Sequence, residues 1–157
     1  MLDISTLEKR LRAAFPQRTV EGVIAPHDCE ECVALRANLK NETWDSVPDK
    51  FVGENADVLP LLSEAGYAAY LPAWIQYALR QPNSDVANML LVNLGHEPRT
   101  SKFNAAQASL IIEVAEFLTA NNAFGAADPV NQESRAKIAQ AWAELRPNKS
   151  LERTRER

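Results

Sequence analysis

The sequence predicts an all-α fold, a single-domain bundle of about six helices with at most one short strand or extended connector near residues 19–25. Apolar residues recur at spacings of three and four along most of the chain, which is the α-helical period. Strand and helix patterns do not alternate. The 157 residues, of which only five are glycine, fit one domain without a glycine-rich phosphate loop or a dinucleotide motif.

Start and stop signals bound the helices in the first half of the chain. Ser5 and Glu8 have the spacing of a capping box, and Pro16 is expected to close that first helix. Ser63 is expected to cap a long helix that Pro82 ends. A Pro-Asp turn and a short apolar segment are expected between the second helix and Ser63.

The second half contains three further helix starts. Residues 83–84 offer caps for a helix that Gly95 is expected to stop. Asn104 and Gln107 form a second box-like start. The Asp-Pro pair at 128–129 predicts a cap followed by proline at the first helical position. These patterns predict a common core of ten side chains: Leu11, Phe15, Leu71, Trp74, Ile75, Leu90, Ile111, Val114, Phe117 and Trp142.

Charge and hydropathy exclude several classes of protein. The net charge of −4 argues against a protein that coats nucleic acid, and the longest apolar runs are too short to span a bilayer. The N-terminal residues lack the apolar core of a signal peptide, which predicts a cytoplasmic protein. Residues 1–146 are expected to form the domain, and residues 147–157 a polar basic tail that is disordered or frayed. Glu113 and Glu116 are interpreted as an ordinary solvated helix face.

The long helix after Ser63 contains four aromatic side chains on one stripe. Tyr67, Tyr70, Trp74 and Tyr77 follow one another at spacings of three, four and three. Such a stripe usually lies in the core, and the alternative is that some of the rings line a pocket or a partner surface. Pro72 predicts either a kink in this helix or the start of a new one.

The sequence resembles an uncharacterised bacterial family of small helical proteins. Four segments carry the resemblance: HDCEEC, then Trp44, then LSEAGYAAYLPAWI at 62–75, then FNAAQASLIIEVAEFL at 103–118. It covers roughly residues 5–120, and Gly66 departs from the more helix-favouring pattern of the family. The resemblance implies a helical fold and no assigned activity.

The segment HDCEEC contains both cysteines of the chain. Cys29 and Cys32 have the spacing of two zinc ligands, and His27 and His96 would complete a tetrahedral set. The alternative is a capping box of Asp28 and Glu31 that opens a helix, with the cysteines on its apolar face. Redox chemistry is a third interpretation, which the two glutamates between the sulfurs oppose.

Two classes of function follow from the sequence. The favoured one is a non-catalytic binding or regulatory module with a protein partner, stabilised by its core and by a structural zinc ion if one binds. It predicts an exposed apolar or acidic patch outside the core. The alternative is a zinc-dependent enzyme in which His27, Cys29 and Cys32 hold the metal with an open fourth position.

Overall fold

The computed structural model describes residues 2–96 and 99–145, and within them the chain is all-helical, as the sequence predicts. Residues 19–25 form a connector without regular structure, and the predicted tail at 147–157 lies outside the described residues. The described part has seven α-helices: α1 (Ile4–Ala14), α2 (Glu30–Leu39), α3 (Asp49–Glu54), α4 (Glu64–Arg80), α5 (Asp85–His96), α6 (Ala105–Asn121) and α7 (Pro129–Ala143). Three 3₁₀ turns join them at Trp44–Ser46, Leu59–Leu61 and Thr100–Lys102.

Helix α4 lies at the centre of the bundle. Eleven of its 17 residues are buried, and it contacts α1, α3, α5 and α6. Pro72 lies inside this single helix, so the predicted alternative of a new helix at Pro72 is wrong. None of the helices in the described ranges has both the length and the apolar character that crossing a lipid bilayer requires.

Two aromatic side chains of α4 bind the ends of neighbouring helices. The Tyr70 hydroxyl donates a hydrogen bond of 2.8 Å to the carbonyl of Leu39, the last residue of α2. The Trp74 indole donates one of 2.9 Å to the carbonyl of Asn55, the C-cap of α3. The last carbonyls of a helix have no partner within that helix, so these rings satisfy them while burying their own polar atoms.

The other two tryptophans act in the same way. Trp44 donates to the carbonyl of Phe15, the C-cap of α1, at 3.2 Å. Trp142 donates to the carbonyl of Leu94, in the last turn of α5, at 3.0 Å. All three tryptophans of the chain therefore place a donor at the end of another helix.

Most of the local predictions are confirmed. Ser63 caps α4, Asn104 and Gln107 form the reciprocal capping box of α6, and Asp128 with Pro129 opens α7. All ten side chains of the predicted core are buried.

Three local predictions are wrong. Helix α1 begins earlier than expected, because the carboxylate of Asp3 accepts the Thr6 amide at 2.7 Å in the capping position assigned to Ser5. The short helix α3 replaces the expected turn and apolar segment. Gly95 does not stop α5: a Cβ there would lie 3.2 Å from the Cβ of Lys137, so this glycine permits close packing against α7.

Gly66 permits a still closer contact. It lies in the first turn of α4, and a Cβ built on it would be 2.6 Å from the carbonyl oxygen of Ile24. That oxygen belongs to the backbone of the connector and cannot rotate away as a side chain could. The absence of a side chain at position 66 therefore has a steric reason.

We expect Gly66→Ala to lower the free energy of unfolding by about 1–3 kcal/mol, the usual cost of overpacking. Helix propensity alone predicts the opposite, a gain of about 1 kcal/mol. Urea unfolding followed by circular dichroism measures the difference. The matched control is Ala65→Gly at the exposed neighbouring position, which should cost about 1 kcal/mol. A Gly66→Ala protein that is more stable than the wild type would contradict the close contact.

We expect Trp74→Ala to destabilise the fold by about 3–5 kcal/mol, because the ring is fully buried in the core. Trp74→Phe keeps an aromatic ring but removes the donor to Asn55, so its cost should be smaller, about 1–3 kcal/mol. Thermal and urea unfolding of both variants separate the contribution of packing from that of the hydrogen bond. An unchanged midpoint for Trp74→Ala would refute the central position of α4.

Candidate functional site

The two cysteines lie at the start of α2 in unequal environments. Cys29 is the N-cap, exposed to solvent, and its sulfur accepts the backbone N–H of Cys32 at 3.4 Å. Cys32 is fully buried in the core. The predicted capping box of Asp28 and Glu31 is wrong, because the sulfur of Cys29 takes the capping position and the Asp28 carboxylate projects into solvent.

The loop before the cysteines is held to two helices. The Arg36 guanidinium, on α2, donates to the carbonyl oxygens of Ala25 at 2.7 Å and His27 at 2.6 Å. Ser63, at the start of α4, donates through its hydroxyl to the carbonyl of Val23 at 2.6 Å and through its amide to that of Ile24 at 2.8 Å. The cysteine pair is therefore set in a fixed frame rather than on a free loop.

The environments change the pKa of the two thiols in opposite directions. Hydrogen bonds from the thiol and the backbone N–H of Cys32 lower the pKa of Cys29, against the opposing charge of Glu31. Burial, and then the neighbouring thiol of Cys29, raise the pKa of Cys32. The exposed sulfur is thus the more readily ionised one.

The histidines of the predicted zinc site lie in different settings. His27 is exposed next to the cysteine pair, and His96 ends α5, with its Nε2 atom 3.4 Å from the Nζ atom of Lys137. Among residues 2–96 and 99–145, no three His, Cys, Asp or Glu side chains are grouped as metal ligands. The zinc set of His27, Cys29, Cys32 and His96 stays a prediction, and the zinc-dependent enzyme is not favoured.

The aromatic stripe of α4 divides between core and surface. Tyr67, Tyr70 and Trp74 are fully buried, and the Tyr67 hydroxyl donates to the Oδ1 atom of Asn93 at 2.7 Å. Tyr77 is half-buried and lines an open surface groove with Gly53, among others. Tyr77 thus borders a surface groove, whereas the other three rings lie in the core.

Two small pockets lie on either side of Val92, on the outer face of α5. The first has a volume of about 180 Å³ and is lined by Ala56, Asp57, Leu59, Pro60, Met89, Val92, Asn93 and His96. The second has a volume of about 260 Å³ and is lined by Asn88, Leu91, Val92, Asn122, Phe124, Asp128, Val130, Asn131 and Ser134. We call the two pockets together the α5 groove.

The groove exposes four large apolar side chains to solvent. Val92 is 49% exposed, Phe124 74% and Val130 69%, and Met89 is partly exposed as well. None of the sequence patterns marks Met89 or Phe124 as an exposed residue. The only local signal was that α5 is apolar on more than one face.

The loop that presents Phe124 is held in place by asparagines. Asn131 donates to the carbonyl of Gly125 and to the side chain of Asn122, each at 2.8 Å. The Ala123 amide donates to the side chain of Asn83 at 2.6 Å. Because the backbone on both sides of Phe124 is bound in this way, the ring is exposed on an ordered loop.

Three polar side chains line the first pocket, and Asn93 is the nearly buried one among them. Asn93 is 7% exposed and lines that pocket, with its Oδ1 atom occupied by Tyr67. Its Nδ2 atom has no hydrogen-bond partner among the residues that the structure describes. This N–H is therefore available to the carbonyl of a ligand in the pocket.

We expect iodoacetamide to alkylate Cys29 in the folded protein and Cys32 only after unfolding, because Cys29 is exposed and Cys32 is not. Peptide mapping by mass spectrometry over a time course measures both rates, and the same reaction in denaturant is the control. Equal rates in the folded state would contradict the burial of Cys32.

The chain belongs to DUF6714, a family of unknown function, whose family model matches residues 25–146. This confirms the expected relationship to an uncharacterised family. Neither a curated protein nor a solved structure matches the chain.

Proposed function

We propose that this member of a family of unknown function is a non-catalytic binding module that holds a segment of a protein partner in the α5 groove. One observation carries the proposal: Met89, Val92, Phe124 and Val130 expose their apolar surfaces together, next to two pockets that meet at Val92. Single apolar side chains are common on protein surfaces, whereas a contiguous group of them is typical of an interaction site.

The shape of the groove indicates the chemistry of the partner. Two pockets on either side of one side chain suit a segment with two large aliphatic or aromatic side chains, one for each pocket. The free Nδ2 atom of Asn93 would donate to a backbone carbonyl of that segment in the first pocket. Asp57 and Asp128 lie among the lining residues, so basic residues beside the apolar anchors would be favoured.

The overall charge supports a protein partner rather than a nucleic acid. The chain has a net charge of −4, and a surface that binds phosphates needs an excess of Lys and Arg.

We expect Val92→Asp to weaken partner binding, because the substitution places a charge between the two pockets. Peptides are selected from a random display library on the wild-type chain, and their affinities are then measured by fluorescence anisotropy. Loss of one apolar anchor should weaken binding by about tenfold or more. Val33→Asp is the matched control: Val33 is 50% exposed on α2 and lines neither pocket. Both variants should keep the wild-type unfolding midpoint within a few degrees, since both sites are half-exposed.

Peptides that bind both variants as tightly as the wild type would place the binding surface elsewhere. Failure of the library to yield any peptide with two apolar anchors would reject the proposed partner chemistry. Self-association of the wild type that Val92→Asp abolishes, measured by sedimentation velocity, would assign the groove to a second copy of the chain.

A further inference from the structure

The cysteine pair has a geometry that the binding function leaves unused. Cys29 presents its sulfur to solvent at the N-cap of a ten-residue helix, and Cys32 follows one turn later, fully buried. The sulfur of Cys29 accepts the backbone N–H of Cys32 at 3.4 Å, so it lies beside the residue that carries the second thiol. One sulfur can therefore meet a reagent from solvent, while the other can meet only its neighbour.

The surroundings favour a negatively charged sulfur at position 29. The first backbone N–H groups of a helix point outward without partners in the helix, and they stabilise an anion placed at the N-cap. The loop carrying Cys29 is held by Arg36 and Ser63, so the sulfur stays at this position without closure of a flexible segment. This arrangement separates an exposed attacking thiol from a protected resolving thiol.

We propose that Cys29 and Cys32 form a thiol–disulfide couple that exchanges with low-molecular-weight disulfides, and that cationic disulfides react fastest. The charge preference follows from Asp28, Glu30 and Glu31, three exposed carboxylates beside the exposed sulfur. The Arg36 guanidinium lies 3.8 Å from the Asp28 carboxylate and offsets one of these three charges, which leaves a net negative charge beside the sulfur.

The exchange takes place in two balanced steps. In the first, the Cys29 thiolate attacks one sulfur of the disulfide RSSR; the S–S bond of RSSR breaks, and RS⁻ leaves and takes a proton from water. In the second, the Cys32 sulfur attacks the sulfur of Cys29, and the bond between Cys29 and the SR group breaks. The second RS⁻ leaves and takes up the proton that Cys32 loses, which gives RSH. Two protein thiols are oxidised to one disulfide, and RSSR is reduced to two RSH.

The test uses the reduced, metal-stripped full chain and the cationic disulfide cystamine with its thiol, cysteamine. After equilibration at a series of thiol-to-disulfide ratios, the samples are quenched in acid, alkylated and mapped by mass spectrometry. We expect an internal Cys29–Cys32 bond that increases with cystamine and disappears on return to cysteamine. A wild-type chain that stays reduced throughout, or that stops at the mixed disulfide on Cys29, would overturn the proposal.

Two variants assign the roles of the sulfurs. Cys32→Ala should accumulate the mixed disulfide on Cys29, because no resolving thiol remains. Cys29→Ser should leave Cys32 largely reduced. Cys32 in this variant should react with cystamine more slowly than Cys29 does in Cys32→Ala, by about tenfold or more, because the Cys32 sulfur is buried. Circular dichroism checks that both variants fold. If either variant does not fold, the measurement on the wild-type chain still tests the proposal. Equal oxidation of both variants would overturn the division of roles.

Two further measurements test the charge preference and the competing metal site. Cystamine should react faster than dithiodipropionate, an anionic disulfide of similar size, and the ratio of rates should fall as salt is added. Equal rates at low salt would overturn the preference. The competing outcome is a chain that binds one zinc ion, that loses this ion in both variants, and whose two thiols stay reduced in cystamine while zinc is bound. That outcome would assign the pair to metal binding instead.

Discussion

The bundle depends on one requirement: the buried N–H and O–H groups of its aromatic side chains need hydrogen-bond acceptors. The unpaired carbonyls at the ends of helices supply these acceptors. Tyr70 and Trp74 project from α4 to the ends of α2 and α3, and Trp44 and Trp142 bind the ends of α1 and α5. Each contact satisfies two groups that would otherwise be buried without partners. Because a hydrogen bond has a defined length and direction, these contacts also set where each helix ends relative to the core. Packing of apolar side chains alone is less directional and would allow the helices to slide further along one another.

The sequence predicted those parts of the fold that local chemistry determines. The caps at Ser63, Asn104 and Asp128 were found because the residue that caps and the amide that it binds lie within three positions. The ten core residues were found because helical periodicity reports which face is apolar. Gly95 was misassigned because the residue that requires a glycine there is distant in sequence: Gly95 packs against Lys137 of α7. Helix α5 also exposes Met89 and Val92, so apolar character alone does not report which of its faces is buried.

The same distinction separates the two sites. The cysteine pair is local, so its position at a helix start could be predicted, although a sulfur as the capping group could not. The α5 groove is non-local, because its walls come from α5, the segment between α3 and α4, the loop between α6 and α7, and the start of α7. Phe124 has no helical neighbours at a spacing of three or four that would mark it, and its exposure depends on the asparagines that hold its loop. Only the folded chain brings these segments together.

The first turn of α4 connects the two sites. Ser63 binds the loop that leads to Cys29, and one turn later Tyr67 binds Asn93 at the first pocket of the groove. Between them, Gly66 lies so close to the carbonyl of Ile24 that no side chain fits. A shift of the loop relative to α4 would have to break the Ser63 contacts or compress the backbone at Gly66. The loop, the start of α4 and Asn93 are therefore positioned as one unit. Helix propensity alone would disfavour a glycine at position 66. Its close approach to the connector lets one helical turn bind both the loop that leads to Cys29 and the Asn93 side chain at the groove.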